Sequence, residues 1–187
     1  LAAELVREGK IQIDYFKCPS SPNLIAAARE VYPVYVHFSF KVGRGIDDAI
    51  DADTKQPVDW EKVEMLLLQT GTPFVSFHLG PTAQDCPDIP TDTADPRHIE
   101  ILTERMIQDV RAAVERLGPE GVVVENLYLK RGRHFPRPIV SPDVISRVVQ
   151  ETGCGFLFDL SHARLAAYEL GMDEREAAER MAPYTRS

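Results

Sequence analysis

The feature that most constrains the fold of this chain is a repeated alternation. Apolar runs of strand length are followed by longer stretches at helical spacing, five times over. The strand-like runs are Ile11–Phe16, Val34–Phe40, Pro73–Leu79, Gly121–Leu127 and Phe156–Phe158. As a set they are solidly apolar, the pattern of strands covered on both faces. Between them the spacing predicts helices over Leu24–Val31 and Asp59–Gln69. A long helix follows Pro96, with Ile101, Leu102, Met106, Val110, Val114 and Leu117 on one face. Ser141 and Pro142 open another helix that runs to Thr152, and a further one follows His162. Asp173 caps a last short helix over Glu174–Met181. Parallel βα units result, in an open doubly wound sheet or in part of a (β/α) barrel. A complete barrel needs about 250 residues. The chain has 187, so the expectation is an α/β fold, a partial parallel (β/α) TIM barrel of about five units. It is read as one domain over residues 1–187, truncated at its C-terminal side, within a longer polypeptide.

Composition narrows the function. The chain is 44% hydrophobic and 27% charged, enough for a sizeable core. Its formal net charge of -8 disfavours nucleic acid and anionic membranes as partners. Cys18, Cys86 and Cys154 form no CxxC pair, which reads as a reduced, cytoplasmic protein without a disulfide framework. No apolar run has the length of a membrane span.

Polar residues stand where these strands end. The second strand carries His37, the third His78, the fourth Glu125 and the fifth Asp159, with His162 three residues on. In parallel α/β folds the C-terminal strand ends form the rim that carries the active site. Each of the five is a competent ligand for Zn, Mn or Fe. A carboxylate ending a buried strand is costly unless something binds it. Asp159 has two readings at this point, a cap on the following helix or a metal ligand. The strands also leave loops: Lys41–Gly45, the polar excursion Asp47–Pro57, and the long proline-rich Gly80–Pro96. Arg44 in the first, and Lys130 and Arg131 in the basic loop Lys130–Arg137, are candidates for holding an anionic substrate group.

The set VHFSF with His37, VSFHLG with His78, VVENL with Glu125 and FDLSH with Asp159 and His162 resembles the xylose isomerase-like TIM-barrel superfamily. That superfamily includes endonuclease IV, sugar isomerases and epimerases, and the multinuclear non-haem iron-dependent oxidative enzymes. The resemblance covers nearly the whole chain in strand order. Likeness to endonuclease IV implies His37, His78, Glu125, Asp159 and His162 as metal ligands, with Glu125 bridging two ions. Likeness to the sugar isomerases implies Glu125 and Asp159 as ligands and His162 against substrate. The wording TGCGFLFDLSHARLAAYELGMD is most similar to the iron-dependent oxidative branch, which often has Asn where this chain has His162. The superfamily's remaining ligands would lie on strands six to eight, past Ser187. Either a further segment or another chain supplies them, or the site is incomplete.

The expected function is therefore a metal-dependent enzyme with a di- or trinuclear rim site. In that reading Glu125, Asp159 and His162 are catalytic. Two or three Fe, or Mn, Zn, Mg or Co ions, serve a complete site. The first choice is a non-haem iron oxidative enzyme acting on a small-molecule or peptide substrate. Alternatives are a sugar or sugar-phosphate isomerase or epimerase, an endonuclease IV-type hydrolase, which the acidic charge disfavours, and a non-catalytic binding or assembly fragment. A homo-oligomer fits the last.

Overall fold

The computed structural model describes residues 2–129 and 135–185, and these fall into two compact units. One is built from the chain up to Ser39 together with Asp59–Val75. The other is built from Phe40–Val58 together with the chain from Ser76 onward.

The first unit holds α1 (Ala2–Arg7), β1 (Phe16–Pro19), α2 (Pro22–Arg29), β2 (Val34–His37) and α3 (Trp60–Thr70). β1 and β2 pair in parallel, from Phe16 opposite Val34 to Pro19 opposite His37. Pro22 starts α2, where a missing N–H costs nothing. Asp59 caps α3 by accepting the Lys62 N–H at 3.2 Å. Gly71 closes the helix at φ 67°, donating its N–H to the Leu67 carbonyl at 2.9 Å. Ile25, Val34, Val36, Val63 and Leu66 are buried. The Thr72 hydroxyl accepts the Val36 N–H at 2.9 Å, satisfying a buried backbone donor.

The second unit is organised on a five-stranded sheet of order β4-β3-β5-β6-β7. Its strands are β3 (Phe40–Val42), β4 (Ile50–Asp51), β5 (Val75–Leu79), β6 (Val122–Glu125) and β7 (Gly155–Leu157). β3 runs parallel to β5 and β6 parallel to β7, while β4 is antiparallel to β3. Thr185 adds a single parallel bridge to Phe156 of β7. The helices are α4 (Pro96–Leu117), α5 (Pro142–Thr152), α6 (Leu160–Leu170) and α7 (Glu174–Met181). Phe77, Leu79, Leu102, Met106, Ile107, Val110, Val124, Ile145, Val148 and Phe156 make a core with at most 2% exposure each. Across α4 and α5, Arg147 pairs with Glu100 at 2.6 Å and Glu151 at 2.7 Å, and with Glu104. The three cysteines are free thiols, and no described helix is long and apolar enough to cross a membrane.

The α/β class and the parallel pairing agree with the sequence reading. No closed barrel is formed among the described residues. Several boundaries differ as well. The first strand is Phe16–Pro19 rather than Ile11–Phe16, because Ile11 and Tyr15 stay exposed while Phe16–Pro19 finds β2 as its partner. The single run Val34–Phe40 is two strands in two sheets, β2 and β3. Lys41 and Val42, read as loop, belong to β3. The polar excursion Asp47–Pro57 contains β4, where Ala49 and Ile50 are buried against the sheet edge.

Candidate metal centre

β6 delivers Glu125 as its last residue, opposite Leu157 in the β6–β7 register. Two residues past Leu157 the chain turns into α6 at Asp159. The position between these two groups is set by Asn126, which is 1% exposed. Its side-chain oxygen accepts the Asp159 N–H at 2.8 Å, and its amide donates to the Asp159 carbonyl at 3.0 Å. The Asn126 amide thus continues the ladder between two strand ends that no longer pair through backbone.

Asp159 caps α6, the first of its two readings, with one of its two oxygens. Oδ1 accepts the His162 N–H at 2.9 Å and caps α6. Oδ2 stands 3.8 Å from His162 Nδ1. The same Nδ1 lies 3.6 Å from Glu125 Oε1 and 2.8 Å from the Asn126 carbonyl oxygen. A carbonyl only accepts, so Nδ1 carries the proton and Nε2 keeps the lone pair. Nδ1, the nitrogen nearest the two carboxylates, is thus the one given to the carbonyl, so ligation by His162 would fall to Nε2. The Tyr128 ring packs beside the imidazole, with centroids 4.9 Å apart.

One ligand atom each from Glu125, Asp159 and His162 lies within 4.8 Å of the others. Donors placed tetrahedrally around a Zn ion at about 2.1 Å stand about 3.4 Å apart, so side-chain rotations must draw the three groups together. Glu125 is 5% exposed, and its Oε2 is buried with no hydrogen-bond partner among the described residues. A buried carboxylate oxygen left in that state is unfavourable unless a cation meets it. Two carboxylates and one imidazole suit Zn, Mn or Fe, so the donor set fits a divalent ion. The side chains of His162 and Asp159 are 20% and 32% exposed, so the centre opens outward from Glu125.

His78 lies on β5, opposite Lys41 of β3. Burial pushes its pKa below the usual imidazole value. The Glu125 carboxylate pulls it back up, while Lys41 and His162 push it down and a hydrogen bond to the Phe40 backbone raises it. His78 therefore senses two members of the cluster. His37 ends β2, in the first unit. Arg44 follows β3 and pairs through Nε with Asp85 Oδ1 at 2.9 Å. Lys130 and Arg131 lie outside the described residues.

Two residues escaped the sequence reading. Asn126 was visible only as the residue after Glu125. Asp109 is 1% exposed on α4 and accepts five backbone N–H groups from the loop after β3. Oδ2 takes Gly43 at 2.7 Å, Arg44 at 2.7 Å and Gly45 at 3.1 Å, and Oδ1 takes Ile46 at 2.7 Å and Asp47 at 3.0 Å. Gly43, Gly45 and Asp47 adopt positive φ to turn their amides inward. The available signal was a lone carboxylate on the apolar face of a helix, which must be satisfied by something. No protein-family model matches this chain, and no curated protein matches it.

Proposed function

We propose that this chain is a divalent-metal-dependent enzyme of the xylose isomerase-like kind, with its site at the C-terminal ends of β6 and β7. Glu125, Asp159 and His162 hold one ion, and Glu125 reaches toward His78 to share a second. The sheet is read as part of a (β/α) barrel wall, a reading supported by its parallel pairs and by the Thr185 bridge beyond β7. The observation that carries the proposal is the buried, unsatisfied Oε2 of Glu125 beside two further ligand groups.

The first reading is a non-haem iron oxidative enzyme in the cytoplasm, acting on a small-molecule or peptide substrate. Bound iron would supply redox and Lewis-acid chemistry. The chain's own residues set the stage for it. Glu125 provides the buried negative charge, Asn126 fixes the Asp159 backbone, and the Asn126 carbonyl keeps the His162 proton on Nδ1. A second reading, a sugar or sugar-phosphate isomerase or epimerase, is favoured by one observation. The gathered donors number three, a set suited to a single ion.

Metal analysis of anaerobically purified protein tests this. Two or more irons per chain, reduced in Glu125→Ala and in His78→Ala, support the first reading. One Mn, Mg or Co lost in Glu125→Ala supports the second. A protein with no bound metal, or with metal content unchanged by Glu125→Ala, overturns both.

A further inference from the structure

The second unit has a cavity of about 350 Å³ between the β3–β4 segment and the loop after β5. Its wall carries Lys41, Arg44 and Lys55 against one carboxylate, Asp85. Three cations and one anion line it, in a chain whose formal net charge is -8. A concave, cation-lined space focuses positive potential against the sign of the whole chain. Thr82 and Gly80 complete the wall at the end of β5.

Arg44 and Lys41 are each held by neighbouring structure, while Lys55 donates to the nearby Ala52 carbonyl. Arg44 is fixed from two sides. Its own N–H and those of its neighbours are gathered by Asp109. Its guanidinium Nε is held by Asp85, whose Oδ2 accepts the Thr82 N–H at 2.9 Å and the Thr82 hydroxyl at 2.6 Å. A guanidinium held through Nε still presents the two Nη groups of its fork, the geometry that suits carboxylate and phosphate. Lys41 comes from β3, with its ammonium 5.2 Å from the centre of the Phe135 ring. Lys41 is also the register partner of His78, which adjoins the metal centre. The cavity and the Glu125 cluster therefore occupy one run of strand ends, joined through the Lys41–His78 pair.

We propose that this cavity seats an anionic group, a phosphate or a carboxylate, of the substrate whose reacting atoms lie at Glu125, Asp159 and His162. The proposal rests on the metal-enzyme reading for the reacting end, while the anion site stands on the cavity's own lining. A substrate anchored by its charged group would be oriented before it met the metal centre, which lowers the entropic cost of reaction.

Isothermal titration calorimetry of the full chain tests it, with inorganic phosphate in one series and succinate at matched ionic strength in another. The expected result is one anion per chain. Lys41→Gln and Lys55→Gln each weaken it about tenfold, the loss of one charge-assisted contact. Lys55 lies in an exposed turn, so its variant stays informative if the β3 substitution disturbs folding. Arg175→Gln, which removes a surface charge on α7, leaves the affinity within about twofold. Tighter phosphate assigns a phosphorylated substrate, and tighter succinate assigns a carboxylate. Binding of neither anion, or equal weakening by Arg175→Gln, overturns the proposal. Metal content measured on the same samples separates the two readings. Anion binding without metal sinks the metal centre and keeps the cavity, and metal without anion binding does the reverse.

Discussion

Replacing Asp109 by alanine removes the acceptor of five backbone N–H groups at once. Of the five, the Gly43 N–H is buried and the other four are partly buried. A buried donor stranded without a partner costs about 1–3 kcal/mol. Each partly buried donor can turn to water and loses only about 0.5 kcal/mol net, about 2 kcal/mol for the four. The sum is about 4 kcal/mol, at the upper end of what one substitution does. Asp109→Asn keeps the volume, but its NH₂ faces donors where an oxygen stood, so about half that loss is expected. The measurement is the urea midpoint of each variant at neutral pH, with amide hydrogen exchange read at Gly43–Asp47. Both variants should lower the midpoint, alanine more than asparagine, and exchange at those five amides should accelerate beyond the global change. If Asp109→Ala stays within about 1 kcal/mol of the parent and the five amides keep their protection, the clasp is not what holds the loop.

Two further expectations follow from the same side-chain accounting. Asn126→Ala removes both bonds to the Asp159 backbone. Metal affinity should fall by about 10–100-fold, as for other residues that orient ligands; equilibrium dialysis showing unchanged affinity would refute the role. Burial pushes the Cys86 thiol above its usual value, opposed by Arg105, whose guanidinium lies 3.0 Å from Sγ. The folded state therefore keeps a proton that the unfolded chain releases near pH ~8.5. Its contribution to stability is full below that pH and is lost as pH rises through the higher folded value. Alkylation of Cys86 should lag that of the half-buried Cys18 at pH 8, and equal rates by mass spectrometry would contradict this.

The parts of the fold that sequence revealed are those fixed by local chemistry. Asp59, Pro96, Pro142 and Asp173 mark their helices because caps and first-turn prolines act within four residues. Glu125 and Asp159 were legible as candidates because a charge at the end of an apolar run is conspicuous. What sequence hid depends on partners far along the chain. The split of Val34–Phe40 into β2 and β3 is set by which sheet each half joins, and an unbroken apolar run carries no mark of that choice. The Asp109 clasp spans more than sixty positions, from α4 back to the loop after β3. The unequal surroundings of the two Asp159 oxygens were hidden for another reason. One oxygen caps while the other faces the cluster, and residue type cannot separate the two oxygens.

The interleaving of the two units has a consequence for synthesis. Every residue of the first unit has been made once the ribosome passes Val75. The segment Phe40–Val58 has been made earlier still, yet its β-sheet partner β5 continues past Val75 and its anchor Asp109 comes over thirty residues after that. During translation this segment is a tether between two portions of an already complete unit, with its five inward-turning amides waiting for a carboxylate not yet polymerised. Slowed translation between Leu79 and Asp109 prolongs that interval, in which an unclasped loop and an unpaired strand are open to wrong partners.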